Sequence, residues 1–144
     1  MLSDSSWYLL NIPTFADSRG CTSVIESGIN VPFEVKRVYY LYNWPVEMER
    51  GGHSHIALWS VIIPLSGELN VLLDNGSDST EFRLRLPHQG LVVGPRVWRE
   101  LRSMSDSTVC LILASNHYDD GDFIRSYDEF QSRYQAENSS GNTH

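Results

Sequence analysis

The chain has 144 residues, 41% hydrophobic and 20% charged, with a net charge of −7 at pH 7. That size and balance fit one soluble globular domain with a true core and exclude a disordered chain. The acidic surplus argues against nucleic acid or an anionic membrane as partner, although a few arginines in a cleft can still hold a small anion.

The first residues, Met1 to Ser6, lack the basic start and apolar run of a signal peptide. No stretch reaches the roughly 18 apolar residues of a membrane span, so the expected location is the cytoplasm. Trp7 to Pro13 is an aromatic, apolar segment, the centre of an N-terminal arm of about residues 1–14. Cys21 and Cys110 lie far apart, outside any CxxC motif and among apolar or β-prone neighbours, and are expected to be buried free thiols. Val31 to Tyr42 is rich in β-branched and aromatic residues and predicts a strand. Ala57 to Leu65 is nearly all apolar and gives way to Ser66-Gly67. Leu69 to Leu73 runs into Asp74-Asn75-Gly76, a strong hairpin signal. Phe82 to Leu86 alternates apolar with basic, as a strand with one wet face does. Gly90 to Pro95 and Thr108 to Ala114 supply two more buried strands.

Short strands with this punctuation predict an all-β, antiparallel sandwich or barrel. Phe123, Tyr127, Phe130 and Tyr134 fall at helical spacing, so a short C-terminal helix is expected to start near Asp122 and pack on the barrel. Gln135 to His144 is polar and expected to be a flexible tail. The expectation is one domain over 1–134 and a tail over 135–144.

Chemistry concentrates at Arg50-Gly51-Gly52-His53-Ser54-His55. On a strand, His53 and His55 point to one face, about 7 Å apart along it. The two glycines before them let the backbone turn tightly or approach a ligand. With Ser60 and Gly67 following, the spacing resembles the first cupin motif, and Gly90, Pro95 and Trp98-Arg99-Glu100 resemble a degenerate second one. Metal-binding cupins usually carry glutamate where Ser60 stands and a histidine near residue 100. A metal here would have only His53, His55 and, at best, Glu100, so none is expected. In Lys36 to Tyr42, Arg37 and Tyr39 share one strand face while Val38, Tyr40 and Tyr42 share the other. Spacing alone leaves open whether the Arg37 face lines the histidine cavity. Tyr40 and Tyr42 are read as packing outward or against another subunit. His88, His117 and His144 are read as loop or tail residues without a role.

Taken together, these segments make the chain resemble the dTDP-4-oxo-6-deoxyglucose 3,4-ketoisomerase family of cupins, also called WxcM-like. The resemblance runs from about Asp17 to Phe130. It rests on Arg19-Gly20 with Ile25-Glu26, Val31 to Tyr40, Arg50 to His55, Leu73 to Gly76, Trp98-Arg99-Glu100, Val109 to Ser115, and Tyr118 to Asp122 with Ile124-Arg125 and Tyr127. Two departures stand out: Ile56 where a lysine is usual and Ser60 where a glutamine is usual. Both are expected near the cavity.

The resemblance implies a cupin, or jelly-roll barrel, that isomerises a dTDP-linked 4-oxo-6-deoxyhexose for deoxy-aminosugar and O-antigen biosynthesis, without a cofactor. It implies His53 as the carbon base and shuttle, His55 orienting it or sharing the proton, and Tyr39 serving the oxygens. Arg19, Arg37, Arg50 and Arg99 are the implied substrate-binding cations, with Arg19 and Arg99 flanking the sugar. It also implies a homodimer, with N-terminal strands exchanged. Two other readings retain part of these features, a metal-dependent cupin and a non-catalytic sugar-nucleotide binder.

Overall fold

The structure, a computed structural model, describes the backbone of residues 4–141 and the side chains of residues 4–134. One five-stranded sheet runs in the order β1 (Trp7–Asn11), β9 (Gln89–Val93), β6 (Ser60–Ser66), β11 (Val109–Ala114), β4 (Arg37–Leu41). The second runs β12 (Phe123–Ile124), β5 (Glu49–His55), β10 (Trp98–Ser103), β7 (Leu69–Asp74), β8 (Ser79–Leu84). All these pairings are antiparallel, and the two sheets face each other as a jelly-roll barrel. A separate hairpin, β2 (Thr14–Asp17) with β3 (Gly20–Ser23), pairs only with itself, and every one of its residues is exposed.

The alternation in each strand decides what fills the interior. Val71, Leu73, Leu84, Leu91, Val93, Leu101 and Ile112 meet between the sheets. In β6 the alternate side chains Val61 and Ile63 turn to the other face, where Ile12, Val31, Phe33 and Val35 cover them. That double burial explains why β6 is an unbroken apolar run. The segment before β4 is thus a cover and not a strand, and only Arg37–Leu41 of the expected Val31–Tyr42 strand enters a ladder.

After Asp74 the chain makes a four-residue hairpin loop, residues 75–78, closed by Asn75 N–H to the Asp78 carbonyl (3.0 Å). The helix α1 spans Tyr127–Gly141 and starts later than its apolar spacing suggested, because Phe123 belongs to β12. Ser126 caps it through Oγ, which accepts the Glu129 N–H at 3.2 Å. Phe130 and Tyr134 bury against Trp98 and Ile124, whereas Tyr127 stays partly exposed. The helical backbone continues through much of the expected tail; residues 142–144, including His144, lie outside the described residues. Cys110 is buried as expected, and burial pushes its thiol up to about 12. Cys21 departs from expectation: it is exposed, because β3 has no sheet above or below it.

Candidate active site

The apolar filling stops short of one end of the barrel, leaving a cleft of about 560 Å³ between the sheets. That lies within the size range of small-molecule sites, roughly 300–1,000 Å³. Its floor is apolar, with Leu41, Ile62, Leu101 and Ile112, and its polar groups include Arg37, Tyr39, Arg50, His53, Ser60 and Arg99.

A bulge in β5 gathers these groups. Arg99 pairs with His53 and Leu101 with Arg50, so β5 spends three residues where β10 spends two. The extra residue falls at Gly51-Gly52. Gly51 has φ +73°, and a Cβ there would stand 3.0 Å from Leu101 Cδ1. Simple alternation would send Arg50 and His53 to opposite faces; the glycine bulge lets both line the cleft. On β10, Arg99 and Leu101 face inward while Glu100 turns to the opposite surface beside Glu49. Glu100 is therefore no partner for the histidines, and no group of three His, Cys, Asp or Glu among the described residues is placed to hold a metal ion.

His53 and His55 do share a face. Their Nε2 atoms are 3.1 Å apart and the rings meet edge to face at 4.7 Å. His53 lines the cleft; His55 stands behind it, 1% exposed, with Nδ1 3.1 Å from Asp122 Oδ2. Burial first, and then the field of Arg99, pull His53 down to about 3 and His55 to about 2, so both rings are neutral at pH 7.

Tyr39 follows Arg37 along β4, whose guanidinium lies 5.0 Å from its ring centre. Burial raises the Tyr39 phenol against the opposing pull of Arg99, Arg37 and Arg50, which leaves it a proton donor. The other face of β4 presents Val38 and Tyr40 to the outside, joined by Tyr42 just past its end, as the alternation required.

Arg99 is 4% exposed. It donates to Ser60 Oγ at 2.6 Å and, at 3.4–3.5 Å, to the carbonyls of Val97 and Gly94, while its Nε has no partner. The Nε of Arg37 is equally unpartnered. No carboxylate among the described residues forms an ion pair with either guanidinium, so this side of the cleft is cationic.

Arg19 is not brought to this cleft. It sits at the tip of the β2–β3 hairpin, 88% exposed and paired with Asp17 at 2.7 Å. Of the two departures, Ser60 lines the cleft and anchors Arg99, whereas Ile56 is 41% exposed and away from the lining.

Four residues of the site carry no site role in the sequence reading: Tyr118, Asp122 and Arg125, which only mark the resemblance, and Phe123, read as helix packing. Tyr118, Phe123 and Arg125 form one wall, with Arg125 stacked 4.3 Å over the Phe123 ring and paired with Asp120. The available signal is the Asp-Gly-Asp break at 120–122, a turn that leads directly into β12 beside His55.

The chain is similar to known proteins along most of its length. The model of the family described as FdtA: WxcM-like, C-terminal, matches residues 5–135. The chain is 42% identical over 123 residues to the TDP-4-oxo-6-deoxy-alpha-D-glucose-3,4-oxoisomerase of Aneurinibacillus thermoaerophilus, covering 85% of this chain and 88% of that one. Among solved structures, the sugar 3,4-ketoisomerase QdtA of Thermoanaerobacterium thermosaccharolyticum, in complex with TDP, superposes with a TM-score of 0.88 at 36% identity. That match covers 91% of this chain and 96% of QdtA. The TDP-quinovose 3,4-ketoisomerase WlaRB of Campylobacter jejuni gives 0.83 at 37% identity, over 88% and 97% of the two chains. On this evidence the chain belongs to the FdtA, WxcM-like family of sugar-nucleotide isomerases.

Proposed function

We propose that the protein is an isomerase that converts dTDP-4-oxo-6-deoxyglucose into a dTDP-3-oxo-6-deoxyhexose. The observation that carries this reading is a neutral, half-buried imidazole, His53, lining the same cleft as a protonated phenol and three arginines, Arg37, Arg50 and Arg99, that pair with no carboxylate among the described residues. The relatives' names supply the substrate class.

The chemistry needs a base for carbon and a donor for oxygen. The C4 carbonyl acidifies the hydrogen on C3. His53 takes that proton, and the C3–H electrons form a C3=C4 enediolate. The proton then returns to C4 as the C3 hydroxyl becomes a ketone. Tyr39 donates to O4 as charge develops there and accepts the proton leaving O3. A preorganised donor in an apolar site stabilises such charge better than water does. Arg37, Arg50 and Arg99 supply the positive surface for the diphosphate and sugar oxygens, since guanidinium forks match phosphate geometry. His55 orients His53 from behind.

The test is incubation with dTDP-4-oxo-6-deoxyglucose in deuterated buffer, followed by NMR. A 3-oxo sugar carrying solvent deuterium at C4 is expected. Folded protein that forms no 3-oxo sugar would overturn the assignment.

A homodimer is part of the proposal. Phe15, 66% exposed on a hairpin that pairs only with itself, and the outward stripe Val38, Tyr40 and Tyr42 are apolar surface suited to a second copy. Within one chain β1 pairs with β9; strand exchange would form the same ladder between copies. Arg19 lies at the tip of that exposed hairpin. Sedimentation equilibrium should give twice the chain mass, and a monomer at micromolar concentration refutes this part. The expected cytoplasmic location fits the substrate class, and no helix among the described residues is long and apolar enough to cross a membrane.

A further inference from the structure

We propose that Asp122 is a positioning residue that sets the tautomers of both imidazoles, so that His53 presents the lone pair of Nδ1 to the substrate carbon. The catalytic half of this proposal rests on the isomerase reading above; the tautomer half does not.

Asp122 ends the 3-10 turn Asp120–Asp122 and lies 67 residues from His55 in sequence. Several contacts pin it against the end of β5. Its Oδ1 accepts the Ala57 N–H at 2.8 Å, and its carbonyl accepts the Ile56 N–H at 3.0 Å. Its own N–H donates to the Asp119 carbonyl at 3.1 Å. The next residue, Phe123, pairs with His55 in the β12–β5 ladder and lies 4.5 Å from its ring centre. The carboxylate is therefore held by backbone bonds that do not depend on the histidine, with Oδ2 left for His55 Nδ1.

The proton positions follow in order. A carboxylate oxygen only accepts, so His55 carries its hydrogen on Nδ1. A neutral ring has one N–H, so His55 Nε2 offers a lone pair. Its one hydrogen-bond partner among the described residues is His53 Nε2, at 3.1 Å, which must then donate. His53 in turn has no hydrogen left for Nδ1. No hydrogen bond from a described residue occupies that nitrogen, and the ring lines the cleft. The chain Asp122–His55–His53 is thus a one-way series of donors and acceptors ending in a bare nitrogen.

When the C3–H bond breaks, its proton goes to His53 Nδ1 and its electrons to the C3=C4 bond. The imidazolium that results keeps its Nε2–H on His55, whose Nδ1–H is held by the carboxylate. Asp122 favours that charge through His55 without touching the substrate. Returning the proton to C4 restores the starting tautomers, so the device resets with each turnover. Without Asp122, His55 is free to carry hydrogen on Nε2. It would then donate to His53 Nε2 and leave the His53 hydrogen on Nδ1, which blocks the base.

The experiment is ¹⁵N NMR of histidine-labelled protein at neutral pH, without ligand, on wild type and Asp122→Asn. Wild type is expected to show His55 protonated on Nδ1 and His53 on Nε2. In the variant, the amide N–H₂ facing His55 reverses both assignments. With dTDP-4-oxo-6-deoxyglucose, kcat of the variant falls by about 10²–10⁴-fold, the scale of a wrong tautomer in a carboxylate–histidine dyad. Its KM changes less than about threefold, a split expected for a group that acts only as the transition state forms. Wild-type His55 protonated on Nε2 overturns the proposal, as does a variant with unchanged tautomers and kcat. If the variant does not fold, the wild-type spectrum alone decides the tautomers. If the tautomers are as stated but wild type forms no 3-oxo sugar, the isomerase reading fails and the proton arrangement stands.

Discussion

Replacing His53 with glutamine is expected to leave a folded protein that still binds the nucleotide sugar and turns it over about 10²–10⁴-fold more slowly, the usual contribution of a positioned proton-transfer group. Folding should survive because the ring is only half-buried and its side-chain hydrogen bond is to His55 alone among the described residues. Binding should survive because the cations come from other positions, on β4, β10 and the start of β5. Turnover should not survive, because glutamine offers no nitrogen that gains and loses a proton near neutrality. The measurement is kcat by NMR of the 3-oxo product, with affinity for dTDP by calorimetry. A kcat within tenfold of wild type removes His53 from proton transfer. A lost affinity at unchanged kcat would make it a binding residue instead.

Arg99→Met is expected to separate stability from function in the opposite direction to most buried substitutions. Arg99 is held between Ser60 and two carbonyls, and burial drags its guanidinium down to about 10 although Tyr39 and Asp122 favour the charge. A buried charge without an ion-pair partner is a burden on the folded state, and an apolar side chain of similar length relieves it. The melting temperature is therefore expected to hold or rise. The substrate loses a charge-assisted contact of about 1.5–3 kcal/mol. A loss of about 2 kcal/mol corresponds to kcat/KM falling roughly 30-fold. A melting temperature lowered by several degrees with kcat/KM unchanged would make Arg99 a structural strut and not a ligand for substrate.

What the sequence reveals depends on the range of the interaction that fixes each residue. His53 and His55 are legible as a pair because strand alternation alone places them on one face, and Arg37 with Tyr39 for the same reason. The buried run of β6 and the hairpin after Leu73 are equally local. Val31, Phe33 and Val35 alternate like a strand yet form a cover over Val61 and Ile63, because periodicity reports which side is buried and not which backbone is paired. Phe123 fits the helical stripe of Tyr127 and Phe130 by one coincidence of spacing, and belongs to the ladder beside His55. Asp122 was out of reach, since its bond to His55 joins distant parts of the chain and only the folded barrel brings them together. Arg19 shows the limit of resemblance: the motif marked the residue, while its position on a self-paired hairpin keeps it out of its own chain's cleft.

The contrast between the two thiols has a practical consequence. Only a thiolate attacks a maleimide, and the Cys110 sulfur is both enclosed and held in the protonated form. Cys21, in the open on β3, is the natural single attachment point for a fluorophore. The native chain thus carries its own reporter on the β2–β3 hairpin, with no cysteine to be engineered in or out.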